Sequence, residues 1–314
     1  MIVTIESKAR PCPGVENAIS LAEEALRREN IVYSAGQLIH NSREIQRLKD
    51  IGLHQISKTS LNNPSKLEKF RDCYFLIRTH GESENLRNRV HEIGMNIIDA
   101  TCPIVVHSQE LVDQHIRDGW GIIIAGKKDH PEVQGLLERT NGNGIVVSSR
   151  REAKSLDFEN RSLLIAQTTI DPEIYSEIRQ TLSSRLIDLK IVDTTCRFIR
   201  NRQRDIEEFA ARQDVVIIVG GKNSSNCRLL YDTSLKVNSR TYWVESPHEI
   251  EKSWFKGIER VGITGGASTP RWQLTEIKSY LENHHNPKGS KNRKGGKFLW
   301  WMRKRPKKEK KQEG

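Results

Sequence analysis

Three cysteines recur in the chain in similar surroundings, and their spacing limits the folds open to it. Cys12, Cys102 and Cys196 lie 90 and 94 residues apart. A short apolar run and a polar turn precede the last two: Ile97-Ile98-Asp99-Ala100-Thr101 and Ile191-Val192-Asp193-Thr194-Thr195. Cys12 follows Val3–Ile5 across a longer link. A helix-like segment comes after each, clearest where Val15, Ala18, Ile19, Ala22, Ala25 and Leu26 share one face. A self-similar period of this length marks a repeat architecture.

The correspondence runs on through each repeat. His40, His130 and Ser224 each stand 28 residues after their cysteine, in polar loops that end apolar strands. A second set of strand-ending loops carries Thr79-His80-Gly81, Gln167-Thr168-Thr169 and Gly265-Gly266-Ala267-Ser268. Alternating strands and helices predict α/β modules with mostly parallel sheets. In such sheets ligand groups gather beyond the carboxyl ends of the strands. The expected architecture is three α/β modules, residues 1–100, 101–194 and 195–285, around a pseudo-threefold axis with one shared cavity, and a basic tail, 286–314.

Three thiolates converging in a dry cavity repel one another and call for a cation. Zinc is one candidate, but structural zinc ligands usually come in close pairs such as C-x2-C, and none occurs here. An iron–sulfur cubane tolerates dispersed cysteines, and with three thiolates in place of the usual four it leaves one iron open to substrate. Cys73 and Cys227 fall outside the pattern and read as buried small apolar residues. The polar loops bring His40, His80, His130, Thr168, Ser224, Ser225, Asn226 and Ser268 together with glycines, which suits an oxyanion held by side chains and backbone N–H groups. No complete nucleotide-binding fingerprint is present, so bound ATP or NAD is not expected. Glu132 is the one carboxylate within these loops, suited to proton delivery or to favouring a helix dipole after Pro131.

With these residues assembled, the chain resembles the 4-hydroxy-3-methylbut-2-enyl diphosphate reductases, iron–sulfur enzymes that end the non-mevalonate isoprenoid route. Cys12-Pro13-Gly14-Val15, Gln37–Asn41, Thr79-His80-Gly81, Asp99–Pro103, His130–Val133, Gln167-Thr168-Thr169, Asn223–Asn226 and Ile263–Pro270 carry the likeness, in the family's order. The resemblance implies a [4Fe-4S] cluster on Cys12, Cys102 and Cys196, with the substrate hydroxyl on the open iron. It implies a diphosphate held by His40, His80, His130, Ser224, Ser225, Asn226 and Ser268, and protons relayed by Glu132 with Thr168 and His130. It also implies isopentenyl and dimethylallyl diphosphate as products and a ferredoxin or flavodoxin as electron donor. The chain departs from the family at Arg10-Pro11, where Gly-Phe is usual. It departs again after Cys196, where Arg197-Phe198-Ile199-Arg200 replaces a small residue such as alanine.

Two other classes fit parts of the pattern. An iron–sulfur redox sensor would use the cluster as a switch and the tail to grip nucleic acid. A zinc hydrolase would use the three thiolates as metal ligands. Charge bears on the first. The tail holds twelve Lys/Arg against Glu309 and Glu313, which leaves 39 basic and 38 acidic residues in the body. The body is therefore no polyanion-binding surface by bulk charge. The tail reads as disordered and most simply as a solubilising extension, though its Lys297–Arg303 segment interleaves aromatics with cations, as suits an anionic membrane surface, single-stranded nucleic acid or an acidic electron carrier. No apolar run approaches the roughly 18 residues of a membrane span, and the N-terminus lacks a signal-peptide pattern, so a cytoplasmic protein is expected.

Overall fold

The computed structural model describes residues 1–63, 67–157 and 161–285. The basic tail, with its expected disorder and partners, lies outside the described residues. The chain begins with β1 (Ile2–Ile5) and α1 (Pro13–Arg28), then β2 (Val32–Ser34), α2 (Ser42–Asp50), β3 (Leu53–Gln55), α3 (Lys58–Leu61), β4 (Tyr74–Ile77), α4 (Glu84–Ile93) and β5 (Asn96–Asp99). The second stretch runs α5 (Pro103–Arg117), β6 (Gly121–Ala125), α6 (Pro131–Glu138), β7 (Gly144–Val147), α7 (Arg150–Ser155), β8 (Ser162–Ala166), α8 (Pro172–Ser183) and β9 (Leu189–Ile191). The third runs α9 (Arg197–Ala210), β10 (Val215–Val219), α10 (Ser225–Val237), β11 (Thr241–Val244), β12 (Arg260–Gly265) and α11 (Arg271–His285).

These strands form three parallel sheets with orders β3-β2-β4-β5, β7-β6-β8-β9 and β11-β10-β12-β1. One topology thus occurs three times, as the repeat predicts. β1 is the exception to the expected module boundaries. It pairs with β12, Val3 opposite Val261 and Ile5 opposite Ile263, and so joins the sheet whose other strands follow Cys196. The physical reason lies in the repeat itself. Each cysteine follows the outer strand of one sheet and opens the helix leading to the next, so the strand before Cys12 fills the outer place that β5 and β9 fill elsewhere.

The central strands β6, β8 and β10 are buried at every residue, as parallel strands covered by helices on both faces must be. Each sheet accordingly carries an apolar cluster on each face. Around the third, Val215, Ile217 and Val219 point to one cluster and Val216 and Ile218 to the other. Helix α1 shows why the connecting segments coil. Pro13 pre-sets its first turn, and Val15, Ala18, Ala22 and Ala25 form its buried stripe. In the first two sheets the connections leave the middle pair, β2/β4 or β6/β8, toward opposite edges, and in the third β11 and β1 hold the edges on either side of β10/β12, which opens a crevice at the carboxyl ends of each pair. Among the described residues, no helix is long and apolar enough to cross a membrane.

Candidate active site

All three repeating cysteines are helix N-caps, of α1, α5 and α9. Their backbones are held by one device used three times. Cys12 N–H donates to the Ala267 carbonyl, Cys102 N–H to that of Thr79 and Cys196 N–H to that of Thr168, each at 2.9 Å. Every cysteine is thereby tied to the loop after the neighbouring inner strand. Their side chains line one cavity of about 710 Å³. The approach is close: a β-carbon on Gly14 would stand 3.0 Å from Cys102 Sγ.

Burial first of all pushes the Cys12 thiol up to about 11, and the other two sulfurs add to the rise, while the N–H groups of Val15 and Gly14 oppose it. Burial likewise raises Cys102, against the N–H groups of Ile104 and Val105. Cys12 and Cys102 therefore keep their protons as bare thiols. A thiolate here needs a cation to offset its desolvation, with the helix N-termini assisting. Three sulfurs around one space, close enough that Cys102 and Cys196 raise Cys12 and Cys196 raises Cys102, fit a cluster that bridges them. The absence of a close cysteine pair fits a two-pair zinc site poorly.

The same cavity is lined by His40, His80, His130, Glu132, Thr168, Ser224, Ser225, Asn226 and Ser268, so every residue singled out from the sequence is present in it. The imidazoles of His40 and His80 lie 4.5 Å apart between centroids, and those of His130 stand 5.3 and 5.4 Å from them. One ligand nitrogen from each lies within 4.8 Å of the others, near enough to converge on one ion or one phosphate. Burial lowers all three below the usual histidine range, His130 to about 3; Arg78 adds to the effect at His40, the other two rings and Arg78 at His80, and His40 and Lys127 at His130. His130 Nδ1 accepts from the Glu132 N–H at 3.2 Å, which leaves its proton on Nε2. Nε2 of His40, Nδ1 of His80 and Nδ2 of Asn226 are buried without a hydrogen-bond partner. Buried polar atoms of this kind are rarely left unpaired in a complete structure.

Capping and site chemistry coincide here. His130 and Ser224 cap α6 and α10, and Ser224 Oγ accepts from the Cys227 N–H at 3.2 Å. Ser268 Oγ donates to the His40 carbonyl at 3.0 Å, and Asn41 Nδ2 to the Ser268 carbonyl at 2.9 Å, which joins the first and third repeats. Glu132 is 1% exposed. Its Oε1 accepts from the Thr168 N–H and its Oε2 from the Thr168 hydroxyl, both at 2.7 Å. Burial raises this carboxyl to about 7, and the two Thr168 bonds hold it from rising further. It can therefore carry or release a proton near neutral pH.

Cys227 is fully buried, as expected, packed between Gly220 and Gly266. Cys73 is only half-buried, and its thiol donates to the Lys69 carbonyl. The apolar wall was missed in the sequence. Val15, Val105 and Ile199 line the cavity, each three residues after its cysteine. That recurrence was readable but hidden among ordinary helix core positions. Thr79 and Thr169 also line it.

Residues 3–282 match the family model described as LytB protein. A 4-hydroxy-3-methylbut-2-enyl diphosphate reductase of Aquifex aeolicus is 36% identical over 285 residues, covering 89% of this chain and 96% of its own length. The enzyme of that name from Geobacter sulfurreducens is 32% identical over 289 residues, covering 92% and 99%. A solved structure of (E)-4-hydroxy-3-methyl-but-2-enyl diphosphate reductase, described as the terminal enzyme of the non-mevalonate pathway, aligns with a TM-score of 0.66 at 36% identity, over 90% of this chain and all of its own. A reductase structure from Plasmodium falciparum, at 23% identity and a TM-score of 0.81, shares the fold. The chain belongs to the LytB family of 4-hydroxy-3-methylbut-2-enyl diphosphate reductases and is an oxidoreductase.

Proposed function

We propose that the cavity binds 4-hydroxy-3-methylbut-2-enyl diphosphate and that the chain removes its hydroxyl reductively, as the last step of the non-mevalonate isoprenoid route. Two electrons and two protons enter; the hydroxyl leaves as water, and the allylic carbon skeleton is protonated at either end. Isopentenyl and dimethylallyl diphosphate result. Cys12, Cys102 and Cys196 would hold a [4Fe-4S] cluster, and the electrons would come from a ferredoxin- or flavodoxin-type donor. When bound, that cluster supplies electrons and one iron with an open position that acts as a Lewis acid toward the hydroxyl.

The chain's own residues do the rest. His40, His80, His130, Ser224, Ser225, Asn226 and Ser268 offer neutral donors to the diphosphate, fixed in place before it arrives. Val15, Val105 and Ile199 keep water from the space between the sulfurs and the donors. Glu132 holds a proton near pH 7 and passes it through the Thr168 hydroxyl, with which it already shares a hydrogen bond.

The observation that carries this reading is the meeting of three thiols with three unpaired buried donors, on His40, His80 and Asn226, around one cavity. The test is an anaerobic assay of iron- and sulfide-reconstituted protein with the hydroxylated diphosphate and a reduced viologen. Both isoprenyl diphosphates are expected, together with a brown protein of about four irons per chain. Iron-loaded protein that leaves the substrate intact, or colourless active protein with one zinc, refutes the reading.

A further inference from the structure

A second polar cavity lies outside the one that holds the sulfurs and the unpaired donors. It has a volume of about 430 Å³ and sits between α8 and α9, lined by Tyr175, Ser176, Arg179, Asp193, Thr195 and Arg200. Thr195 directly precedes Cys196, so the inner wall of this notch adjoins the third sulfur along the chain. Tyr175 is only 6% exposed, and its hydroxyl is buried without a hydrogen-bond partner. Burial raises the phenol to about 12; Asp193 adds to the rise, while Arg179 and Arg200 oppose it. The hydroxyl thus keeps its proton and has no acceptor for it.

Asp193 does not serve as that acceptor. Its Oδ1 accepts from the Thr195 N–H at 3.0 Å and the Thr195 hydroxyl at 2.5 Å, and its Oδ2 from Arg200 Nη1 at 2.8 Å. Two guanidinium groups therefore face one fully engaged carboxylate, and the notch keeps a net positive charge. Arg179 is exposed and makes no ion pair among the described residues.

The basic character continues along α9. Arg197, Arg200 and Arg204 recur at spacings of three and four, which places them on one helix face, and Arg197 and Arg204 are exposed. This row begins at the positive end of the helix, in the segment where the chain departs from its family's small residue.

We propose that the notch receives a carboxylate side chain from an acidic electron-donor protein docked along the first turns of α9, beside Cys196. The inference rests on the reductase reading above, in which Cys196 holds one corner of the cluster. An arginine pair with a phenol hydroxyl is a strong carboxylate receptor, and the adjoining row of cations steers an acidic surface toward it. A small free anion would have no use for that row.

The test uses reconstituted holoenzyme, wild type and the variants Tyr175→Phe and Arg179→Glu, with two reductants: reduced methyl viologen and a reduced acidic [2Fe-2S] ferredoxin. Viologen-driven turnover is expected to stay within about twofold in both variants, because viologen carries no carboxylate. The KM for ferredoxin is expected to rise about tenfold in Arg179→Glu and about threefold in Tyr175→Phe at low salt, with the gap closing at high salt. Calorimetric titration of holoenzyme with oxidised ferredoxin should show the same order of weakening without any turnover.

An unchanged ferredoxin KM, an equal loss with both reductants, or no binding of ferredoxin by the wild type overturns the docking site. So does competition by about 10 mM inorganic phosphate, which would mark a small-anion site instead. Failure of viologen to drive the wild type, by contrast, strikes at the reductase reading itself.

Discussion

Glu132 and Asn226 occupy matching places in consecutive repeats, each the second residue of the helix after an inner strand. Both are buried. Both reach across the crevice to the next strand's loop: Glu132 Oε1 accepts from the Thr168 N–H at 2.7 Å, and Asn226 Oδ1 from the Ala267 N–H at 2.5 Å. Each loop in turn receives a cysteine N–H, from Cys196 or Cys12. The mechanical task of the two residues is the same. They differ in the second polar atom: Glu132 Oε2 shares a hydrogen bond with the Thr168 hydroxyl, while Asn226 Nδ2 is an unpaired buried donor. The scaffold repeats its architecture and varies its chemistry one atom at a time, with a movable proton in one repeat and a fixed donor in the other.

Exchanging the two functional groups tests that division. Glu132→Gln keeps an oxygen for the Thr168 N–H but removes the titratable proton. Turnover should fall by about 10²–10³-fold with iron content unchanged. Normal turnover would remove Glu132 from proton delivery. Asn226→Asp keeps the oxygen for the Ala267 N–H but sets a negative charge against the diphosphate, so KM should rise about 10–100-fold with a smaller change in kcat. A kcat loss as large as that of Glu132→Gln would mean the two positions are not chemically distinct.

Thr168→Val sharpens the comparison at the second polar atom. It removes one of the two bonds that hold the Glu132 carboxyl down, so turnover should drop about tenfold and the alkaline limb of the pH–rate profile should move upward. In the wild type that limb is expected near pH 7, where Glu132 loses its proton, and it should vanish from the residual rate of Glu132→Gln. Stability carries the smallest signature. Burial lifts the carboxyl from its ordinary 4.5 to about 7, so between those values the unfolded chain ionises and the folded one does not. Stability therefore declines as pH climbs through that window. Denaturant midpoints between pH 5 and 7 should show a decline in the wild type that Glu132→Gln lacks.

Much of this was legible before any coordinates. The 28-residue offset of His40, His130 and Ser224 from their cysteines placed three loops at one centre because one topology fixes where each strand ends. The grouping of β1 was not legible, since four residues of apolar strand carry no mark of the partner they will pair with. Nor was the role of Thr168 as donor to both oxygens of Glu132, because two loops 36 residues apart meet only across a crevice. The Glu6–Arg202–Thr264 cluster shows the same limit. Nothing in the sequence marks Glu6 and Arg202 for burial, yet they form a buried bidentate pair joined by the Thr264 hydroxyl, which clamps the segment before Cys12 to the helix that Cys196 opens. A charged residue is buried only with a partner, and the partner here is supplied by tertiary structure.

The pairing of β1 with β12 has a consequence for how such a molecule is born. A ribosome releases Ile2–Ile5 long before Arg260–Gly265, so β1 stays without its companion while the residues between them are made. The middle sheet can assemble in the meantime, but the first sulfur has no settled address until the body is finished. Any group that needs all three sulfurs must wait for β12, and a chain cut before Arg260 cannot seat Cys12 beside Cys102 and Cys196.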